Sequence, residues 1–414
     1  MAFDVKKNIL MTIAGKSAIL LFNFLAVVLT TNLWGAEGRG IVAMFMADLS
    51  LLAIVANVFT GSSVSYYLQK SGISRLFVIA TLWIFITSSI GALIFHILEM
   101  ENLSLFFLIT SVFLGFIAFF NSSYVGAQRI KSYNILTVLQ PLLLLVFMLL
   151  FYHFVDSSYR AYFYAQMLSL FILTIACLYL DRGRFSFRDL SRLVPIAVRS
   201  FRFGFQTELS NFLQFFNYRL SFYFLCHLVG HASVGVFSIG VTLAEAIWIV
   251  SRSISMVQYS KLLKDKDSED SRKSTLQVAK YSFLVTLFIL VVANVLPKEV
   301  YTYIFGPDFY DVKLVLLYLS PGVLFIAVSN VFGHYFSAIG KLRILVIKSF
   351  VGVLVTLLLS FALVNRWQIV GASIVNMSSN IVTSLILFVA FWRYTTHTPV
   401  DSNEDSCEME KYEE

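Results

Sequence analysis

The 414-residue chain is 58% hydrophobic and only 13% charged, with a mean hydropathy of +0.80. This composition excludes an ordinary water-soluble domain, in which about 25% of the residues are charged. The formal net charge of +7 is also typical of nucleic-acid-binding proteins. Membrane proteins, however, collect Lys and Arg in their cytoplasmic loops, so we predict an integral membrane protein with no nucleic-acid partner.

Apolar runs of bilayer length recur roughly every 30 residues along the chain. Backbone groups find no partner in hydrocarbon, and the runs lack the alternation of barrel strands, so each run is predicted to be a helix. The first run is too long for a cleaved signal, whose apolar region spans about 7–15 residues. We expect an all-α protein with about twelve transmembrane helices. The expected spans are residues 9–34, 40–69, 76–98, 103–125, 134–154, 160–180, 203–228, 232–258, 276–296, 312–338, 344–364 and 368–392.

The distribution of basic residues predicts the orientation of these helices. If the N-terminus is cytoplasmic, most loop Lys and Arg also fall on the cytoplasmic side. The exceptions are Arg39, Arg160, Lys298, Lys313 and Arg366. Because positive residues stay inside, we expect both termini to be cytoplasmic.

The predicted spans divide six and six around the basic, amphipathic segment 181–202. We interpret residues 1–180 and 203–396 as two similar six-helix halves, with segment 181–202 as a cytoplasmic linker on the membrane surface. Residues 397–414 form an acidic, polar cytoplasmic tail, which we expect to be disordered.

Two local matches support an internal repeat. Gly35 and Gly40 follow the first span, and Gly230 and Gly235 follow the seventh with the same spacing. Similarly, Gly126-Ala-Gln-Arg129 follows the fourth span and Gly340-Lys-Leu-Arg343 follows the tenth. Parallel six-helix repeats of this kind are a known transporter architecture.

Ionisable and polar residues inside the predicted spans mark a candidate site. A charge near the bilayer centre costs about 2.5–3.5 kcal/mol on insertion scales, so these side chains should face protein or water. They concentrate in the first two helices of each half, often on one helical face. We therefore expect these helices to line a central cavity. Its candidate cations are Lys16, Arg219 and Arg252, with Arg39 at the outer mouth; its carboxylates are Asp48, Glu208 and Glu245; its other polar groups are Asn23, Asn57, Asn211 and Gln214.

The arginines favour an acidic substrate. Arginine binds phosphate through two parallel hydrogen bonds and does not lose its charge, so Arg219 and Arg252 suit a phosphate or another acid. The alternative is that these arginines form interhelical ion pairs with Glu208 and Glu245 that only hold helices together. The sequence contains no phosphate-binding Gly-Lys-Ser loop, no HExxH pair and no nucleophile elbow. We predict no catalytic residues, no cofactor and no metal site.

Six short strings, in this order, resemble Wzx-type oligosaccharide flippases, which belong to the same superfamily as multidrug and toxic compound extrusion (MATE) transporters. The resemblance extends over essentially the whole chain. The strings are Gly35-Ala-Glu-Gly-Arg-Gly-Ile-Val-Ala43, Asn217-Tyr-Arg-Leu-Ser221, Gly235-Val-Phe-Ser238, Glu245-Ala-Ile-Trp248, Ile304-Phe-Gly-Pro-Asp-Phe309 and Leu319-Ser-Pro-Gly322.

The resemblance implies a bacterial inner-membrane protein that flips an undecaprenyl-diphosphate-linked oligosaccharide repeat unit by alternating access. It assigns Arg219 and Arg252 to the lipid diphosphate or acidic sugars, with Lys16 and Arg39 as helpers. Coupling or gating is then assigned to the carboxylates Asp48, Glu208 and Glu245. The sugar composition, a proton or sodium coupling ion and partner proteins of polysaccharide assembly are left open.

Two other functions are alternatives. A multidrug or cation antiporter of the same superfamily should concentrate carboxylates in one lobe rather than arginines in the cavity. A membrane polysaccharide polymerase has similar hydropathy but should carry a large outer loop, whereas the longest predicted outer segment here is residues 297–311.

Overall fold

The computed structural model of the protein describes residues 2–98, 103–186, 191–262 and 268–397, and all regular elements in these ranges are helical. The α-helices are α1 (Ala2–Thr60), α2 (Ser62–Ser71), α3 (Ile73–Leu98), α4 (Ser104–Gly126), α5 (Ile130–Phe154), α6 (Arg160–Leu180), α7 (Leu193–Leu228), α8 (His231–Leu262), α9 (Ser268–Val295), α10 (Lys298–Phe305), α11 (Val312–Ala338) and α12 (Leu342–His397). Short 3-10 turns follow α6 and α10.

The predicted all-α membrane fold is confirmed. Nine helices in the described part of the chain are long and apolar enough to cross a membrane. Two of them are interrupted, because the backbone is non-helical at Gly35 inside α1 and at Gln368 inside α12. These interruptions coincide with the predicted boundaries between spans one and two and between spans eleven and twelve. The count of twelve spans stays a prediction.

Three boundaries differ from the expected ones. The helix α7 begins at Leu193, so the last part of the predicted linker forms its first turns, and residues 187–190 lie outside the described ranges. The predicted second span is divided at Gly61, where α1 gives way to α2. Of the predicted tail, only His397 is described, as the last residue of α12.

The interruption at Gly35 is fixed by a segment that follows much later in the chain. Gly35 has a φ of 61°, a backbone conformation that is costly for residues with a Cβ atom. The Asp308 carboxylate accepts a hydrogen bond of 3.1 Å from the Ala36 N–H, and the Asn32 side chain donates one of 2.8 Å to the Ile304 carbonyl. The first bond satisfies an amide at the start of the second part of α1, and the second satisfies a carbonyl at the end of α10.

The chain forms two compact units. Unit 1 is drawn from Met1–Ile239 with Glu299–Tyr310, and unit 2 from Gly240–Lys298 with Asp311–Glu414. The segment that carries α10 and Asp308 therefore packs with unit 1, although the chain on both sides of it belongs to unit 2. The division falls within α8.

Unit 1 contains two apolar clusters and several close helix contacts, one of which joins two glycines. The clusters include the buried side chains of Phe45 and Phe120 respectively. The second part of α1 meets the start of α8 at Gly40 and Gly235, where a Cβ atom would lie 1.8 Å and 1.9 Å from a carbonyl oxygen of the other helix. Small residues permit such approach in lipid, where packing rather than the hydrophobic effect joins helices. Two of the glycines whose spacing suggested a repeat, Gly40 and Gly235, therefore also lie at a contact between α1 and α8.

Unit 2 is held together by small residues and hydroxyl groups. The Ser251 and Ser282 hydroxyls of α8 and α9 both donate to the Ala327 carbonyl of α11, at 2.6 and 3.0 Å. At Gly322 the backbone of α12 comes so close that a Cβ atom would lie 2.8 Å from the Met377 Cα. Hydrogen bonds between helices and close approach at small residues are the usual means of association in membranes.

Candidate functional site

The second part of α1 and the helix α7 bring two of the predicted cations together within unit 1. The Arg39 guanidinium donates to the hydroxyls of Ser238 at 3.2 Å and Thr30 at 3.4 Å. It is also near enough to Arg219 and Tyr162 for electrostatic interaction. The two guanidinium groups thus lie on different helices within range of electrostatic interaction, and like charges at such a range favour a nearby anion.

Arg219 is half-buried on α7. Its guanidinium lies over the Phe222 ring, 4.9 Å from the centroid, which is cation–π geometry. The planar edge of a guanidinium group matches the spacing of phosphate or carboxylate oxygens.

Asp48 and Tyr223 form a second link between α1 and α7. The Tyr223 hydroxyl donates a hydrogen bond of 2.7 Å to the Asp48 carboxylate. Tyr223 follows Arg219 by one helical turn, so the two side chains lie on the same side of α7. We call Arg39, Asp48, Arg219 and Tyr223 the arginine cluster.

A cavity of about 450 Å³ opens beside the arginine cluster and shares Tyr223 with it. Its volume is in the usual range for small-molecule sites, about 300–1,000 Å³. The walls combine apolar side chains with hydroxyl, thiol and imidazole groups, all from unit 1. They are Ile41, Met44, Phe45, Phe95, Leu103, Tyr159, Tyr223, Cys226, His227 and His231.

Glu208 lies in a different part of the same helix pair. It is buried on α7, accepts a 2.9 Å hydrogen bond from the Asn211 amide, and lies against the interruption at Gly61. The Asn57 side chain at this interruption accepts a hydrogen bond from the Thr60 hydroxyl. At 1.5 Å per residue, Glu208 is about 16 Å along α7 from Arg219. Glu208, Asn57 and Asn211 form what we call the carboxylate cluster.

Unit 2 has its own cationic group. Arg252 is exposed on α8, and together with Lys348 of α12 it interacts electrostatically with His334 of α11. His334 also pairs with the Tyr259 ring, with 5.6 Å between centroids. Glu245 is half-buried two turns earlier on α8.

The remaining predicted residues are exposed. Lys16 and Asn23 are exposed on the first part of α1, and Gln214 is exposed on α7, where it donates to the Tyr218 hydroxyl at 3.1 Å. Sequence reasoning placed Lys348 inside a span without assigning it to a site, and it missed Tyr223. Nothing in the local sequence distinguishes such a tyrosine from those that pack against lipid.

The fold is the one seen in MATE transporters. The chain superposes on an inward-facing multidrug resistance MATE transporter with a TM-score of 0.72 and 15% identity, covering 91% of this chain and 94% of that one. A MOP superfamily transporter from Pyrococcus furiosus gives a TM-score of 0.66 at 17% identity, with 94% and 95% covered. A MATE transporter from Vibrio cholerae gives 0.64 at 13% identity, with 94% and 96% covered.

The sequence comparisons narrow this class. Residues 262–405 match the family described as "Polysaccharide biosynthesis protein". The chain is also 21% identical to the capsular polysaccharide biosynthesis protein CapF of Staphylococcus aureus over 284 residues, 64% of this chain and 69% of that protein. These findings confirm the resemblance to Wzx-type flippases of the MATE-like superfamily.

Proposed function

We propose that the protein flips an undecaprenyl-diphosphate-linked oligosaccharide repeat unit across a bacterial inner membrane by alternating access, with both termini cytoplasmic. The observation that carries the proposal is the electrostatic interaction of Arg39 with Arg219, in a cluster whose Tyr223 lines a cavity of about 450 Å³. The negative charges of a diphosphate complement such a pair of guanidinium groups. The similarity to polysaccharide biosynthesis proteins supports a saccharide as the rest of the cargo.

The other predicted residues take supporting roles in this proposal. In unit 2, Arg252 with Lys348 supplies a second attraction for acidic groups. In unit 1, Lys16 and Arg39 help Arg219 to attract the diphosphate. Asp48 and Glu245 act as gating groups. Glu208 is the coupling group, because a buried carboxylate beside a helix interruption can exchange a proton or bind a sodium ion.

The charge of the binding pocket can differ between transporters that share this fold. The Pyrococcus furiosus relative is described as a MOP transporter whose binding pocket has reverse polarity, which suggests a different function. The arginine cluster beside the cavity of this protein is consistent with such variation, and it favours an anionic cargo over a cationic drug.

The proposal is tested by complementation in a bacterium that lacks its own repeat-unit flippase, with surface polysaccharide as the readout. Wild type should restore the polymer, and Arg219→Ala should abolish it at matched membrane levels. Arg160→Ala is the control, because it removes an arginine at the start of α6 outside both clusters. Failure of the wild type with every repeat unit tried would refute the flippase.

A multidrug antiporter is the second candidate, and Glu208 is the observation in its favour. A buried carboxylate on α7 is the type of group that such a transporter needs for proton or cation exchange. Under this function, the wild type lowers drug accumulation in cells and Glu208→Gln abolishes the effect, while no polysaccharide is restored. In either case we propose a transporter rather than an enzyme, and the polymerase is disfavoured by the similarity to MOP transporters.

A further inference from the structure

A second polar cleft lies in unit 1 where α2 ends and α3 begins. It has a volume of about 400 Å³ and is closed on one side by the segment that follows α6. Three cationic side chains line it, namely Lys70, Arg75 and Arg184. It belongs to neither the arginine cluster nor the carboxylate cluster.

The charge of this cleft is positive. Its lining residues are Lys70, Ser71, Gly72, Ile73, Ser74, Arg75, Arg184 and Ser186, and none of them is acidic. The nearby carboxylate of Asp181 is buried and forms ion pairs with both Arg129 and Arg184. One carboxylate thus serves two guanidinium groups, and the residues that line the cleft carry three positive charges and no negative charge.

Backbone and hydroxyl groups add neutral donors to these cations. Gly72 turns the chain with a φ of 77°, and the Leu76 N–H closes the first turn of α3 on the Gly72 carbonyl. The amides between these two residues have no acceptor within the helix. The Ser186 N–H donates to the Ser74 hydroxyl at 2.7 Å, which fixes the loop after α6 against the start of α3.

Three cations that converge on a preformed cleft with backbone donors make a good match for the oxygens of a phosphate group. The predicted topology places this turn on the cytoplasmic side, where anionic lipids attract basic residues near the membrane surface. We propose that the cleft binds a phosphate group, supplied by the headgroup of an anionic membrane lipid or by a free phosphate compound. Lys70 and Arg75 hold it from the α2–α3 turn, and Arg184 holds it from the opposite side.

Full-length protein purified in neutral detergent tests this site. Binding of phosphatidylglycerol, phosphatidylcholine and inorganic phosphate is measured by native mass spectrometry and by the shift in unfolding temperature. The variant is Lys70→Gln with Arg75→Gln, which keeps the ion pairs of Asp181 intact. The matched control is Lys131→Gln with Arg182→Gln, two exposed cations outside the cleft.

We expect wild type and control to retain phosphatidylglycerol over phosphatidylcholine, and the cleft variant to bind it at least about tenfold more weakly. If inorganic phosphate at millimolar concentration displaces phosphatidylglycerol, the ligand is a free phosphate compound. If phosphate does not displace it, the ligand is the lipid headgroup. Exchange of the two cations, Lys70→Arg with Arg75→Lys, should preserve most of the binding. Equal retention of phosphatidylglycerol by wild type and cleft variant, with no response to phosphate, would overturn the proposal.

Discussion

The Asp308 carboxylate caps a helix that begins 272 residues earlier, by accepting the hydrogen bond from the Ala36 N–H. Ala36 opens the second part of α1, and this part carries Arg39 and Asp48. The segment with Asp308 therefore fixes the direction of a helix that supplies half of the arginine cluster. Both partners come from strings that resemble the flippases.

Replacement of Asp308 by Ala should destabilise unit 1 by about 1 kcal/mol, since the loss of an N-cap costs about 0.5–2 kcal/mol. The unfolding temperature of the purified protein measures the effect. Asp311→Ala is the matched control, because Asp311 occupies the N-cap position of α11 without a side-chain hydrogen bond to the helix. Equal shifts for the two variants would contradict a specific cap.

The contact between Gly40 and Gly235 should not tolerate a methyl group. Gly40→Ala or Gly235→Ala forces a Cβ atom against a carbonyl oxygen, so α1 and α8 must separate, at a cost of about 1–3 kcal/mol or more. The yield of monodisperse protein on size-exclusion chromatography reports this loss. Gly183→Ala should leave the yield unchanged, because no atom lies within 4 Å of its Cβ position.

The Tyr223 hydroxyl should stabilise the arginine cluster through Asp48. Tyr223→Phe removes a 2.7 Å hydrogen bond to a carboxylate and should cost about 1.5–3 kcal/mol. A double-mutant cycle with Asp48→Asn, read by chemical unfolding, measures the coupling between the two side chains. Tyr303→Phe is the control, since Tyr303 is 90% exposed. A coupling free energy near zero would mean that the bond contributes nothing.

Arg219 should be replaceable by Lys for folding but not for transport. Lysine keeps the charge and loses the planar pair of donors, so Arg219→Lys should retain the wild-type unfolding temperature while substrate affinity falls about tenfold or more. Binding of a short polyprenyl diphosphate to the purified protein gives the affinity. Arg160→Lys serves as the control. Unchanged affinity in Arg219→Lys would show that charge alone suffices.

Glu208 should control the pH dependence of transport. Glu208→Gln keeps the side-chain volume and the contact with Asn211 but removes the titrating group, so transport should become insensitive to pH while the protein stays folded. Flipping in reconstituted vesicles at several pH values measures this. Glu299→Gln, an exposed carboxylate on α10, should keep the wild-type profile. Retention of that profile in Glu208→Gln would exclude a coupling role.

The sequence by itself determined the all-helical membrane fold and the positions of most helices, because hydropathy is a local property and a bilayer requires long apolar helices. It also located the break at Gly35, where glycine follows a complete span. The polar residues of the site were found for the same reason, since a charge inside an apolar run is conspicuous. It missed the break at Gly61, because the predicted second span was drawn through Gly61-Ser62-Ser63, although glycine followed by serines is itself a signal for a helix end.

Only the tertiary structure decided which of these residues meet. Arg39 approaches Arg219, Tyr223 binds Asp48, and Asp308 caps Ala36 because specific helix faces pack together, and hydropathy does not specify those faces. Close approach depends on small residues such as Gly40, whose partner Gly235 could not be known from a matching spacing alone. Lys16 and Asn23, equally conspicuous in the sequence, are exposed on the first part of α1. Local composition therefore selects the polar residues, and helix packing assembles some of them into a site.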